Sequence, residues 1–337
     1  MTVKNAFKSA MSPTLINKAK TLRYDLDVLR YGLGFYRRFV RNAAFPSNNG
    51  QSQLEARLIF NAHSLEKGLS HLDFRPGFGK KAVLNLTEIM NRWQKNGYPN
   101  EAFGYVEALA VLKAYQQKHE SLNKPLPDFF VSSTTLFAEQ IAAADSSRAG
   151  ARREATQLHI GGNGSYADVI TSRCSIRDYS DEPVNIDAVK RAGELALKAP
   201  SVCNRQPARL HIITNTALIH ELLQVQGGML GYADPPVLLL VISKMSTMLN
   251  PTELHEAYID GGVYSMALLG ALEAEDLGAC PLNTMFGRKQ ESKIRDLLQL
   301  PDDDALIMFI AVGHKLKVDS HPVSRRKSLN EVISVHS

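Results

Sequence analysis

The pattern of apolar residues changes near the middle of this 337-residue chain. From Leu22 to about Glu120, apolar residues recur at the spacing of a helix face. Examples are Leu54, Leu58, Ala62, Leu65 and Leu69. Turn-forming residues interrupt this region at 45–50, 74–79 and 123–127. The first part of the chain is therefore predicted to form several helices joined by turns rather than one coiled coil.

The second part of the chain has a mixed pattern. Helices are predicted near 186–198, 216–224, 253–276 and 290–297, and strands near 209–214, 236–243 and 306–312. The run Val237–Ile242 is continuously apolar, which is typical of a strand covered on both faces of its sheet. Residues 142–164 are mostly small and polar and end in a glycine-rich sequence. The predicted organisation is a helical region at 1–145, a linker at 146–165 and a mixed domain at 166–337.

Positive charge is concentrated at the beginning of the chain. Residues 1–50 contain nine Lys and Arg against Asp25 and Asp27. The aromatic and basic segment 31–41 would suit an anionic membrane surface or an acidic partner. A helix packed on its own domain with a solvated basic face is the more ordinary interpretation of the same segment. No nucleic-acid-binding motif accompanies the charge, so a nucleic-acid partner is not expected.

The cysteines favour a reducing compartment. Cys174, Cys203 and Cys280 are odd in number and far apart, which argues against a disulfide scaffold and a zinc cluster. The chain has neither a membrane-spanning run nor a recognisable signal peptide, so a cytoplasmic location is expected, with residues 1–50 as a candidate contact to the inner face of the membrane. His63 and Glu66 could share a helix face, but they lack further ligands in the sequence, and no metal site is predicted.

Three polar segments of the second part are candidates for a binding site. In the sequence Thr-Ser-Arg-Cys-Ser-Ile-Arg-Asp-Tyr-Ser at 171–180, the alternate residues Arg173, Ser175 and Arg177 would point one way in an extended chain, which suits a phosphate monoester. Residues 199–207 read Ala-Pro-Ser-Val-Cys-Asn-Arg-Gln-Pro, a polar turn before a predicted strand. A third cluster, Arg325 to Lys327, is basic and lies near the end of the chain.

Together these segments resemble the FMN-binding signature of the nitroreductase family, whose usual form is Ser-Arg-Arg-Ser-Ile-Arg followed by Ala-Pro-Ser-x-x-Asn-x-Gln-Pro-Trp. The resemblance extends over residues 166–337 and includes the Leu-Gly-x-x-x-Pro turn at 277–284. It implies an α+β nitroreductase-like fold, with a mostly antiparallel sheet flanked by helices and FMN at a homodimer interface, preceded here by a helical domain. Cys174 stands where a second Arg is common, and Ala208 stands where Trp is usual.

The resemblance also implies roles for individual residues. Arg173, Ser175 and Arg177 would open the phosphate site, and Arg325 and Arg326 would close it. Polar groups of the second motif would reach the flavin ring or ribityl chain. Backbone amides of the turn at 277–284 would face N5 and O4 of the ring. The residues implied in these last two regions are Pro200, Ser201, Asn204, Gln206, Pro281, Asn283 and Thr284.

By resemblance, the expected activity is transfer of hydride from NADH or NADPH, through N5 of FMN, to an electron-poor acceptor such as a nitro compound, quinone, enone or imine. Flavin performs the redox chemistry in such enzymes, so no catalytic side chain is assigned. The alternatives are a flavin dehydrogenase or dehalogenase specialised for one metabolite and a non-catalytic adaptor in a membrane-associated assembly. The helical part resembles the extension found on nitroreductase-like proteins of bacterial polysaccharide gene clusters.

Overall fold

The structure is a computed structural model that describes residues 13–155 and 165–336. Its first part is helical, and the predicted turns at 45–50, 74–79 and 123–127 fall between helices. The helices are α1 (Pro13–Asn42), α2 (Gln51–Ser70), α3 (Lys80–Lys95), α4 (Phe103–Ser121), α5 (Asp128–Thr134) and α6 (Ala138–Ala143). Short 3-10 turns follow at Thr135–Phe137 and Ser146–Arg148.

The core of the helical part is built from large side chains whose polar tips are hydrogen-bonded. Trp93 is fully buried and its Nε1 donates to the Pro99 carbonyl at 3.1 Å. Tyr115 donates to the Phe78 carbonyl at 2.9 Å, and burial raises the pKa of its hydroxyl to about 12. Because buried polar groups are costly when unpaired, these bonds fix α3 to the loop that precedes α4, and α4 to the loop that precedes α3.

The second part is an α+β domain, as predicted. Its helices are α7 (Tyr166–Ser172), α8 (Ile186–Ala196), α9 (Thr216–Gln226), α10 (Glu256–Ala274), α11 (Arg288–Leu298) and α12 (Leu329–Val332). Its strands are β2 (Ala208–Ile213), β3 (Val237–Lys244), β4 (Leu277–Asn283) and β5 (Asp304–His314). The helices and strands predicted between residues 186 and 312 are present, with ends shifted by at most three residues.

The four strands form one antiparallel sheet in the order β2-β3-β5-β4. The register places Leu240 opposite Phe309 and Cys280 opposite Ala311. Val237 to Ile242 are buried on both faces of the sheet, which explains why that run is apolar without alternation. One face packs on α8 and α10, while the other packs on α9 and α11.

Two strands lie where the sequence predicts a turn or a linker. The predicted turn at 277–284 consists mainly of β4, which pairs with β5 on one side and is bridged to Ser175 at Ala279 on the other. Pro281 lies two residues beyond that bridge, near the end of the strand. Strand β1 (Ala151–Ala155) lies inside the predicted linker and pairs antiparallel with β6 (Val318–Pro322). Its pairing partner is over 160 residues away in sequence, so no local pattern predicts this pairing. Residues 156–164 of the linker lie outside the described residues.

Helix α1 projects from the rest of the molecule with most of its side chains exposed. Its aromatic side touches the second part through Phe35, whose ring centroid lies 4.5 Å from that of His255. Leu22, Leu29 and Tyr36 remain more than half exposed. In the described residues, no helix combines the length and apolar character needed to cross a membrane.

Candidate functional site

The segment Arg173–Arg177 is held in an extended form along the edge of the sheet. Its Ser175 bridges to Ala279 of β4, and the Ile176 amide donates to the Ala279 carbonyl at 3.1 Å. Ile176 and Arg177 are both buried, whereas Arg173 and Ser175 are partly exposed. The common direction that the spacing predicts for Arg173, Ser175 and Arg177 stays a prediction.

Arg177 is the most constrained cation of this segment. Only 9% of the residue is exposed, and its Nη1 donates to the Ser175 carbonyl at 3.2 Å. Its Nε has no hydrogen-bond partner among the described residues. A buried guanidinium with an unused donor is costly unless an anion or polar ligand accepts from it.

Arg173 and Arg177 share their surroundings with Lys67, a residue of α2 that the sequence analysis did not select. Burial raises the pKa of the Cys280 thiol, and the cations Arg177, Lys67 and Arg173 around it act in the opposite direction. Within the described ranges, none of the three cations forms an ion pair with a carboxylate. Their charge, the Ser175 hydroxyl and the free Arg177 Nε fit a phosphate monoester such as that of FMN.

The motif at 200–206 forms a strained turn. Cys203, Asn204 and Gln206 all have positive φ angles, of 49°, 55° and 50°. Such angles are uncommon for residues other than glycine and persist only where surrounding bonds enforce them. The enforcing bonds run from the Gln206 amide to Ser201 Oγ at 2.9 Å and from the Val202 amide to Asp260 Oδ1 at 3.1 Å.

This conformation exposes the two amide side chains that the motif contributes. Gln206 Nε2 donates to Asn204 Oδ1 at 3.2 Å, and both residues are exposed. Pro200, at the start of the turn, lines a different feature, an apolar groove of about 590 Å³ beside α7 and α10. The turn therefore presents the amide groups of Asn204 and Gln206 to solvent, while Pro200 contributes to the apolar groove.

Arg205 attaches the turn to the segment before α10. Its Nη1 donates to Glu253 Oε2 at 2.8 Å and to the Thr247 carbonyl at 2.7 Å. Hydrogen bonds from Arg205 and from the Leu249 amide lower the pKa of Glu253 to about 2. The sequence analysis did not select Glu253. Its position just before the long helix is the only feature of the sequence that indicates a role for it.

The end of β4 carries the third predicted region. Asn283 is exposed, and its carbonyl accepts from Gln226 Nε2 at 3.1 Å. Thr284 donates its hydroxyl to the Leu306 carbonyl at 2.9 Å. Pro281 is adjacent to Cys280 and is partly exposed. These bonds fix the chain where β4 ends, beside the cations that surround Cys280, and the role predicted for the backbone amides stays a prediction.

Arg325 and Arg326 lie against the helical part of the chain. Arg325 Nη1 is 3.8 Å from Glu107 Oε1, while Arg326 donates to the Ser324 carbonyl. Both arginines line a cavity of about 220 Å³ together with His63 and Glu66. Burial raises the pKa of Glu107, and the positive charges of Arg148 and Arg325 beside it act in the opposite direction. The structure thus does not bring Arg325 into the group around Cys280, and its predicted phosphate contact stays a prediction.

His63 and Glu66 form the predicted i, i+3 pair. His63 Nδ1 is 3.5 Å from Glu66 Oε2, whereas Glu66 Oε1 is buried without a hydrogen-bond partner. Among the described residues, no group of three or more His, Cys, Asp or Glu is arranged to hold a metal ion.

The second part of the chain is similar to known proteins. Residues 170–230 and 227–314 match the model of the Nitroreductase family. A NADH dehydrogenase of Thermus thermophilus is 27% identical over 192 residues, a match that covers 48% of this chain and 91% of that protein. An FMN reductase (NAD(P)H) of Bacillus subtilis is 24% identical over 160 residues, which cover 43% of this chain and 64% of that protein.

Among solved structures, one similar protein comes from Desulfovibrio desulfuricans. It is assigned to the nitroreductases and was solved in complex with FMN. The likeness has 26% identity and a TM-score of 0.43, and covers 52% of this chain and 98% of that one.

The ion pair between Arg205 and Glu253 predicts a specific dependence of stability on pH. Because the folded-state pKa of Glu253 is about 2 and its ordinary value is 4.5, the pair stabilises the fold above pH 4.5 and ceases to do so as the pH falls towards 2. The difference in urea midpoint between the wild type and Glu253→Gln should therefore be largest near neutral pH and shrink on acidification. Glu139→Gln, at an exposed site, is the control. A difference that stays constant from pH 7 to pH 3 would contradict this assignment.

Proposed function

We propose, from the match of residues 170–230 and 227–314 to the model of the Nitroreductase family, that this protein is an FMN-dependent oxidoreductase. It would use NADH or NADPH as reductant and an electron-poor small molecule, such as a nitro compound, quinone, enone or imine, as acceptor. When bound, FMN would supply the ring atom N5 that accepts and donates hydride. The two relatives named above, a NADH dehydrogenase and an FMN reductase, support this class of reaction.

The observation that carries the proposal is the buried, incompletely bonded Arg177. Its Nη1 donates to the Ser175 carbonyl, its Nε has no acceptor, and within the described residues it forms no ion pair with a carboxylate. A doubly charged phosphate monoester provides the missing acceptor atoms and the missing negative charge. The predicted phosphate anchors Arg173, Ser175 and Arg177 are therefore proposed to bind that group.

The exposed amides of the strained turn are proposed to bind the ring or the ribityl chain. Asn204 and Gln206 each offer a donor and an acceptor, which the flavin edge requires. Asp260 and Ser201 hold the backbone of the turn, so the amides are positioned before any ligand arrives. Pro281, Asn283 and Thr284 are proposed to form the backbone wall beside the ring. Specialisation for one metabolite is compatible with the same site.

A homodimer is proposed because the central helix α10 is apolar on its outer side. Tyr258 and Ile259 are more than half exposed, and Met266 is 43% exposed. Met266 also lines the apolar groove of about 590 Å³ next to α7. Contiguous apolar surface of this kind marks an interface in soluble proteins, and a second copy of the chain would cover it.

Contact with an anionic membrane is proposed as a second property of the chain, in the cytoplasm. Helix α1 carries Arg37, Arg38 and Arg41 near its end, and exposed Leu and aromatic side chains along its length. A helix with a basic face and an apolar face lies at the lipid–water interface. This property would suit an adaptor as well as an enzyme in a membrane-associated polysaccharide assembly.

The cofactor proposal predicts a flavin spectrum. After incubation with FMN and desalting, the full chain should retain absorbance near about 370 and 450 nm and lose the longer-wavelength band under anaerobic NADH or NADPH. Arg173→Met should retain roughly tenfold less FMN, because a charge-assisted hydrogen bond is lost. Arg288→Met, at an exposed helix start, should behave as the wild type. A wild type that retains no FMN would overturn the assignment.

The dimer proposal predicts a change of mass. Met266→Asp introduces a charge into the apolar face of α10, so sedimentation equilibrium should show a shift from dimer towards monomer. Val335→Asp, at an exposed position near the end of the chain, should leave the mass unchanged. A monomeric wild type, or a Met266→Asp variant that remains dimeric, would contradict the proposed interface.

The membrane proposal predicts co-sedimentation with vesicles. The full chain should pellet with vesicles that contain anionic phospholipid, and the pelleted fraction should fall when the salt concentration rises. A chain lacking residues 1–50 should remain in the supernatant. Equal pelleting of both chains would show that these residues are not the contact.

A further inference from the structure

Helix α1 carries an apolar stripe with a seven-residue repeat. The spacing between successive members alternates between four and three residues, which is the a and d pattern of a coiled coil. The large side chains of the stripe are each between 40% and 61% exposed, so the described part of the chain leaves the stripe uncovered. Its members are Leu22, Leu26, Leu29, Leu33, Tyr36 and Val40, and the same spacing extends back to Ala19 and Leu15.

The contacts of α1 with its own chain use other side chains. Phe35 packs on His255, and Phe39 meets Phe45 edge-on with ring centroids 5.7 Å apart. In the heptad numbering set by the stripe, Phe35 is at a c position outside it and Phe39 is at a g position that borders it. These contacts hold α1 on the second part of the chain and leave the a and d positions open to another helix.

The length of the repeat favours a second helix over a flat surface as the occupant of the stripe. Because an α-helix has 3.6 residues per turn, a seven-residue stripe on a straight helix drifts by about 20° per heptad around the helix axis. The stripe from Leu15 to Val40 extends over more than three heptads, so it would turn away from a flat lipid surface. Two helices that supercoil keep such a stripe in contact along its whole length.

The charges beside the stripe favour a parallel pair of identical helices. Arg23, Arg30 and Arg37 occupy e positions, which face the partner's e positions in an antiparallel pair, so arginine would face arginine. In a parallel pair, each g position faces the next e position of the partner. Asp25 then faces Arg30 of the second copy, which is attractive, while Lys18 faces Arg23, which is repulsive. The apolar stripe thus supplies the attraction, and the arginines select the orientation.

We propose that α1 pairs with α1 of a second copy of this chain in a parallel, in-register, two-stranded coiled coil. This interface is separate from the one proposed on α10, and it does not rest on the flavin chemistry. Arg38 and Arg41 are at f and b positions, away from the stripe. Pairing of the stripes therefore leaves these two arginines for the proposed contact with an anionic surface.

Disulfide formation between copies tests the pairing and its orientation. In the full chain, Leu22→Cys places a thiol at a d position, where the two copies of a parallel pair face each other. In an antiparallel pair these thiols would be too far apart to bond, because Leu22 lies away from the middle of the stripe. Under glutathione disulfide, the disulfide-linked dimer of Leu22→Cys should form roughly tenfold faster than that of Tyr24→Cys, at an exposed f position. The wild type measures the background from the exposed native Cys203.

A charge placed in the stripe should abolish this advantage. Leu29→Asp, combined with Leu22→Cys, should slow disulfide formation to the rate of Tyr24→Cys, because the d position becomes charged. Tyr31→Asp is the matched control, since Tyr31 is about as exposed as Leu29 but lies at an f position. It should leave the fast rate of Leu22→Cys unchanged.

Three results would overturn the coiled coil. The first is equal rates for Leu22→Cys and Tyr24→Cys, and the second is equal effects of Leu29→Asp and Tyr31→Asp. The third would show that the stripe lies on lipid instead. In that case Leu29→Asp would lower pelleting with anionic vesicles more than Tyr31→Asp does, while the disulfide of Leu22→Cys would form no faster than that of Tyr24→Cys.

Discussion

The hydrogen bond from the Ile176 amide to the Ala279 carbonyl fixes the arginine-bearing segment to the edge of the sheet. Tyr179 supports the same segment, since its hydroxyl donates to the carbonyls of Ile176 and Ala311. Its ring lies over Gly313, where a Cβ atom would come within 2.6 Å of ring atoms, so the close approach requires glycine. Because these contacts use backbone groups of β4 and β5, the direction of Arg173 and Arg177 depends on the sheet and not on a flexible loop.

The helical part and the second part depend on each other through charge as well as packing. Tyr232 of the second part donates to the Lys67 carbonyl at the end of α2, while Arg325 of the second part approaches the buried Glu107 of the helical part. A buried carboxylate is expensive in isolation. These contacts bond the helical part to the second part of the chain.

Local patterns predicted the elements whose cause is local. The continuous apolar run of β3 and the long apolar helix α10 were predicted because a buried element consists mainly of apolar residues. Strand β4 was not predicted, because Gly278 and Pro281 are typical of a turn and the strand is defined by its pairing with β5. The alternation of Arg173, Ser175 and Arg177 stays a prediction. The contact of Tyr232 with the Lys67 carbonyl at the end of α2 was not predicted, because it joins residues more than 100 positions apart that no local pattern links.

The pairing of β1 with β6 has a consequence for the order in which the chain can fold. Ala151 lies opposite Pro322, so this ribbon joins the end of the helical part to a segment near the end of the chain. During synthesis the helical part leaves the ribosome before β6, which pairs with β1, and before Arg325, one of the two arginines beside Glu107. Long-range closure of this kind is slow and comes late. A nascent chain stalled before β6 would therefore expose an unpaired strand edge at β1.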